Sequence, residues 1–124
     1  MTVHEMRYAG CSVPLRYGHT TMTIRLAAEW TDVDAGDTLE MVTDDDMVPM
    51  TVEETRTVSA TDAYVIANAS SGHSSYQSLG EFLGVFRRYY PEAGVDATTP
   101  LTCFNVTLQG DLPAEATDSV EVVE

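Results

Sequence analysis

Gly18-His19-Thr20-Thr21-Met22-Thr23-Ile24-Arg25-Leu26 is the stretch from which the fold is read. Its second half alternates strictly, which places Met22, Ile24 and Leu26 on one face of a β-strand and Thr21, Thr23 and Arg25 on the other. The apolar face is the core face; the hydroxyls and the guanidinium share the side left for polar contacts. Further on, Gly36-Asp37 breaks the chain and Thr38 to Val42 reads as a second strand, closed by the turn Asp44-Asp45-Asp46. A long strand from Val48 to Val58 follows, with Val48, Met50 and Val52 in alternation and Pro49 tolerated near its start. Its Glu53-Glu54 pair predicts a bulge or a shift of face. Leu101 to Leu108 is the last strand, with Phe104, Val106 and Leu108 in phase and Cys103 opposite.

Two helical segments lie between these strands. Ser78-Leu79-Gly80-Glu81 is a capping box, in which the serine oxygen and the glutamate carboxylate each satisfy an amide that the first helical turn leaves unpaired. Leu79, Phe82, Leu83, Phe86 and Tyr90 then recur at three- and four-residue steps, Arg87 and Arg88 lean toward the rim, and Pro91 supplies the stop. A shorter helix spans about 61 to 68, with Asp62 in its first turn. Strands and helices do not alternate, so a doubly wound sheet is excluded. The order predicts an α+β fold, a small β-barrel or curled sheet closed on one side by two helices.

Composition bounds the rest. A chain of 124 residues with 44% hydrophobic residues is one domain that folds without metal or disulfide staples. Twenty acidic residues face six basic ones, all six of them arginine, for a net charge of −14. That pattern suits concentrated salt, where the Debye length falls to about 3 Å and carboxylates hold a hydrated surface without repelling one another. The acidity is uneven. Residues 1–30 carry Arg7, Arg16 and Arg25 against Glu5 and Glu29, whereas residues 31–62 carry ten acids against Arg56 alone. Arginines so rationed are candidates for anion contacts. The expected organisation is a domain over 1–110 and an acidic tail over 111–124, whose Ser119-Val120-Glu121-Val122-Val123 also alternates well enough to pair as an edge strand. No apolar run approaches a membrane span and Met1 to Glu5 does not open an export signal, so a cytoplasmic location is expected. Cys11 and Cys103 then read as free thiols, and His4, His19, His73 and the cysteines form no metal constellation. No cofactor is implied.

The run Gly18 to Arg25, then Gly36-Asp37-Thr38-Leu39, the capped helix ending Tyr89-Tyr90-Pro91, and Thr102-Cys103-Phe104-Asn105-Val106 together resemble the ASCH domains of the PUA-like superfamily. They are similar in particular to the small bacterial amidohydrolases that remove the acetyl group from acetylated cytidine. The resemblance covers residues 15–108. It implies a PUA-like barrel with a cleft beside the first motif strand, in a superfamily whose members mostly bind RNA or nucleosides. Thr23 stands where those enzymes place their threonine nucleophile and Arg25 where their motif arginine stands. Their catalytic lysine does not carry over, since its position is Thr20, and the position of their catalytic glutamate falls at Ser75. A threonine hydroxyl needs an adjacent base, worth about 10² to 10⁴ in rate, and neither Thr20 nor Ser75 supplies one. His19 and His73 flank the vacated positions and either substitute as bases or lie in solvent-facing loops.

The leading expectation is therefore a noncatalytic module that binds RNA or a nucleotide-like ligand through Thr20, Thr21, Thr23 and Arg25. Tyr17, His19, Ser75, Tyr76 and Arg87 would flank the cleft, with Tyr17 and Tyr76 as the stacking aromatics ahead of Tyr8 and Trp30, and Arg16 and Arg88 widening the basic rim. For Arg25 the alternative is a salt bridge to Asp37 or another carboxylate. Two other functions stay open: an amidohydrolase acting on an acylated nucleoside with Thr23 as nucleophile, and a protein-interaction module. The sequence does not set the oligomeric state.

Overall fold

In the computed structural model, which describes residues 1–110, the chain runs β1 (Val3–Arg7), α1 (Val13–Arg16), β2 (Met22–Leu26), a 3-10 turn (Ala27–Glu29), β3 (Thr38–Val42), β4 (Met47–Ser59), α2 (Ala60–Ala69), α3 (Leu79–Tyr89) and β5 (Pro100–Leu108). The sheet order is β1-β3-β4-β5-β2, with β1 parallel to β3 and every other pair antiparallel. The fold is α+β, and no helix among the described residues is long and apolar enough to cross a membrane. The expected acidic tail lies outside the described residues.

Curvature comes from β4. Its first half pairs with β3 and its length from Met50 onward pairs with β5, with the register slipping between Val52 and Glu54. The slip falls at the Glu53-Glu54 pair, where the extra residue bends the strand and tightens its twist. The bend folds the sheet round two cores. On the helix side, Met22, Ile24 and Leu26 pack with Ala60, Ala63, Ala67, Phe82, Leu83 and Phe86. Inside the curl, Met6, Leu15, Leu39, Met41, Val48, Val52, Phe104 and Val106 form the second. β5 feeds both, Leu101 and Cys103 to the first and Phe104 and Val106 to the second. Alternation in β2 was thus a guide to one core face, but its polar face borders the second core and is not open surface: Thr23 is only 6% exposed.

The capping box at the start of α3 forms with one arm as expected and the other shifted by a residue. Ser78 Oγ accepts from the Glu81 amide at 3.1 Å, while the Glu81 carboxylate reaches the amide of Gln77 at 3.4 Å, one residue before the cap. The acidic turn is also used internally. Asp45 accepts from the amide and hydroxyl of Ser12 at 2.8 and 3.0 Å, which fixes the start of α1, and Arg16 pairs with Asp46. Arg16 is therefore committed to that turn and does not widen a ligand rim.

Asp37 is the clasp of the parallel edge. Its carboxylate accepts from the Thr2 amide at 3.1 Å, the Asp34 amide at 3.0 Å and the His4 imidazole at 2.9 Å. The Asp34 amide first, then the His4 ring and the Thr2 amide, hold its pKa down to about 2, from an ordinary 3.8. A carboxyl more acidic folded than unfolded contributes stability that is present above pH 4 and lost as pH falls through about 2. In Asp37→Asn the acid limb of the stability profile between pH 4 and 2 should be shallower, as read from denaturant midpoints. An unchanged slope would show that the clasp carries no linkage.

Candidate functional site

β1 and β2 are the two edges of the curled sheet, and the seam between them is a cleft of about 500 Å³. Arg7, Tyr8 and Ala9 at the end of β1 form one wall, and Thr23, Ile24 and Arg25 of β2 the other. Val85, Phe86, Tyr89 and Tyr90 of α3 and the segment His73, Ser74 and Tyr76 close it. That segment is pinned at both ends. The Thr21 amide donates to the Gly72 carbonyl at 2.9 Å and the Gly72 amide to Ser70 Oγ at 3.1 Å. The Asn68 side chain then brackets Tyr76, donating to its carbonyl and accepting from its amide, both at 2.8 Å. A side chain at Gly72 would not fit: its Cβ would lie 1.8 Å from Thr21 Oγ1 and 3.0 Å from the Thr21 amide nitrogen.

Charge sets the cleft apart from the rest of the molecule. Two of the six arginines line it, and among the described residues no acidic side chain does. Among the described residues the ion pairs are His4 with Asp37, Arg16 with Asp46 and Arg56 with Glu54, so neither Arg7 nor Arg25 is spent on a carboxylate. The expected alternative of an Arg25–Asp37 salt bridge is replaced by the Asp37–His4 contact. Arg25 instead donates from Nε to Thr23 Oγ1 at 3.0 Å. Burial pulls its pKa below the usual arginine value, partly offset by the nearby hydroxyls of Tyr90, Tyr8 and Tyr89. A half-buried cation without a counter-charge is costly, and an anionic ligand relieves the cost.

His73 is also held toward its neutral form, by burial first and then by the nearby Arg25 charge, against the opposing pull of the Ser74 carbonyl. Its Nδ1 lies 3.0 Å from that carbonyl, which selects the tautomer with the proton on Nδ1 and leaves Nε2 a bare acceptor. Aromatic rings surround these groups. Tyr76 meets Phe82 edge-on at 5.0 Å, Phe86 and Tyr90 are nearly parallel at 6.2 Å, and Tyr89 stands 63% exposed at the rim.

Of the residues singled out in the sequence, Thr23, Arg25 and Tyr76 meet in this cleft. Thr20 touches it indirectly, sharing a 3.3 Å hydrogen bond with the Tyr8 hydroxyl, and with Thr21 it lines a second, mostly apolar hollow of about 200 Å³. Tyr17 and His19 lie exposed in the connection before β2, outside the lining. Ser75 is exposed and does not line the cleft, whereas its neighbours do. Arg87 donates from Nε to the Val95 carbonyl at 2.8 Å and holds the bend after α3. Sequence reasoning missed Arg7, Ser74, Tyr89 and Tyr90 and gave Tyr8 and His73 second place. The signal that was available is the net positive charge of residues 1–30, which Arg7 shares.

No family model and no curated protein matches the chain by sequence. Solved structures do match by shape. An ASCH domain from Lactobacillus crispatus superposes with a TM-score of 0.61 at 10% identity, covering 86% of this chain and 79% of that one. A protein of Enterococcus faecalis gives 0.62 at 13% identity, covering 92% and 83%. A protein of Pyrococcus furiosus gives 0.59 at 13% identity, covering 88% and 98%. With its five-stranded curled sheet and two main helices, the chain has the PUA-like fold of the ASCH domain.

Proposed function

We propose that the seam between β1 and β2 binds a nucleotide-like anion, free or within an RNA strand, without chemistry. The supporting observation is the pairing of Arg7 and Arg25 in a cleft walled by tyrosines and lacking carboxylates, within a chain of net charge −14. Guanidinium groups hold phosphate oxygens by charge-assisted bonds, and tyrosine rings stack bases without regard to sequence. Broad phosphate binding would need a basic surface, which this molecule lacks, so recognition is local. Absence of catalysis is supported by the Arg25–Thr23 bond. A cation donating to Thr23 Oγ1 occupies a lone pair and makes the oxygen a poorer nucleophile. In molar potassium chloride, ultraviolet crosslinking of ribonucleotides should label peptides carrying residues 7–9, 22–26 and 73–90. Label confined to other peptides would remove the proposal.

One observation favours the amidohydrolase alternative. His73 shares the cleft with Thr23, its Nε2 is free to accept a proton, and it is kept neutral. Incubation with acetylcytidine separates the readings. Binding without acetate release is expected, and release that disappears in both Thr23→Ala and His73→Gln would establish the enzyme instead.

A further inference from the structure

We infer that the main chain of Ile24 is the specificity-determining element of this cleft, reading the pairing edge of one unpaired nucleobase; the inference rests on the nucleotide reading above and deepens it. The register decides which backbone groups are free. The Val106 amide donates to the Thr21 carbonyl at 2.9 Å, and β2 pairs antiparallel with β5 through Thr23 with Phe104 and Arg25 with Thr102. In such a ladder hydrogen-bonded and non-bonded positions alternate. The Thr21 carbonyl and the main-chain groups of Thr23 and Arg25 therefore point at β5, and the N–H and C=O of Ile24 turn the other way, off the sheet edge. They have no hydrogen-bond partner among the described residues.

The off-sheet side is the cleft. Thr23, Ile24 and Arg25 all line it, and three consecutive strand residues can do so only where the strand's edge, and not one face alone, borders the space. The Ile24 side chain is packed into the helix-side core and is 6% exposed, so its main chain is what it offers the ligand. A donor and an acceptor thus stand side by side on rigid backbone.

The complement is an acceptor beside a donor, which each common base presents on its pairing edge. A base already in a duplex has that edge covered and is rejected. Around this point Arg25 and Arg7 are placed for a phosphate and Tyr89 for the ring face. Thr23, having accepted from Arg25, keeps its own proton to give. An added peptide strand would use the same edge groups but needs a run of them. Here the run is short: of the off-sheet positions Met22, Ile24 and Leu26 only Ile24 borders the cleft, and Leu26 leads into a 3-10 turn.

The test measures binding of the four ribonucleoside 5′-monophosphates in molar potassium chloride. The full chain is compared with a version in which the Ile24 amide is replaced by an ester that keeps the isoleucine side chain. The same nucleotides methylated on the pairing edge, such as N3-methyluridine and N1-methylguanosine monophosphates, form the second arm. The ester removes no ladder bond but turns the Thr23 carbonyl into a weaker acceptor for β5, so its melting temperature should fall only slightly. One lost charge-neutral hydrogen bond predicts about a tenfold fall in affinity for the parent nucleotides. Edge methylation should cost the native chain at least as much and make it indifferent to the ester. Equal binding of parent and methylated nucleotides by the native chain overturns the role of Ile24 while leaving the nucleotide reading intact. Failure of every nucleotide to bind overturns both. Displacement of bound nucleotide by a strand-forming peptide, with loss of peptide binding in the ester, would assign the edge to strand addition instead.

Discussion

Arg25→Met should weaken nucleotide binding by about 2 to 4 kcal/mol, roughly 30- to 700-fold, and leave the fold standing. The binding loss follows from the site's composition. Arg25 is a half-buried cation in a lining that, among the described residues, holds only one other arginine and no acid, so no neighbour replaces its charge-assisted bonds to a phosphate. Folding should not suffer, because the guanidinium makes no ion pair among the described residues and its burial is already a cost. Methionine matches its unbranched length, fills the space and removes an uncompensated charge. Calorimetric titration with a ribonucleotide, beside a thermal melt, checks both halves. Undiminished affinity would place the ligand elsewhere, and a collapsed melting temperature would make Arg25 a structural residue first.

Gly72→Ala should destabilise the domain by about 1 to 3 kcal/mol, lowering the melting temperature by about 4 to 15 °C, and should weaken binding as well. The new methyl group would sit 1.8 Å from Thr21 Oγ1, which can rotate away, but also 2.9 Å from Thr21 Cβ and 3.0 Å from its amide nitrogen, which cannot. Relief requires the two backbones to part, breaking the bond from the Thr21 amide to the Gly72 carbonyl. The wall carrying His73, Ser74 and Tyr76 then moves with Gly72. Thr21→Ala removes the hydroxyl and the γ-methyl but leaves Cβ and the amide in place, and should restore only part of the loss in the double variant. A Gly72→Ala protein that melts like the parent would show that this approach is slack.

How much was legible in the chain followed from how many faces of each element are buried. β2, β3 and the start of β4 declare themselves because their buried residues recur at a fixed step, Met22, Ile24 and Leu26 or Val48, Met50 and Val52. β1 gave no such signal: only Met6 of Val3 to Arg7 is buried, His4 is half-buried against Asp37, and Val3, Glu5 and Arg7 are exposed along the edge. Four-residue α1 offers a single buried side chain, Leu15. With β1 unseen, the second wall of the cleft was unseen too, and Arg7 and Tyr8 counted only toward charge and aromatic content. Tyr90 satisfied the helical stripe on α3, which hid its place at the cleft, and Tyr89 sat off that stripe. Ser75 was placed by counting back along an irregular segment, where a single step decides whether a side chain lines the cleft or leaves it.

On the proposed nucleotide reading, the exclusion of carboxylates from one small notch would reverse the usual response of a phosphate-binding protein to ionic strength. An approaching anion meets repulsion from a molecule of charge −14 at every distance beyond a few ångströms and attraction only at contact with Arg7 and Arg25. Raising salt until the Debye length is about 3 Å removes the long-range barrier and spares the short-range hold. Encounter with the proposed ligand should therefore quicken as salt is added, where a basic nucleic-acid binder would slow.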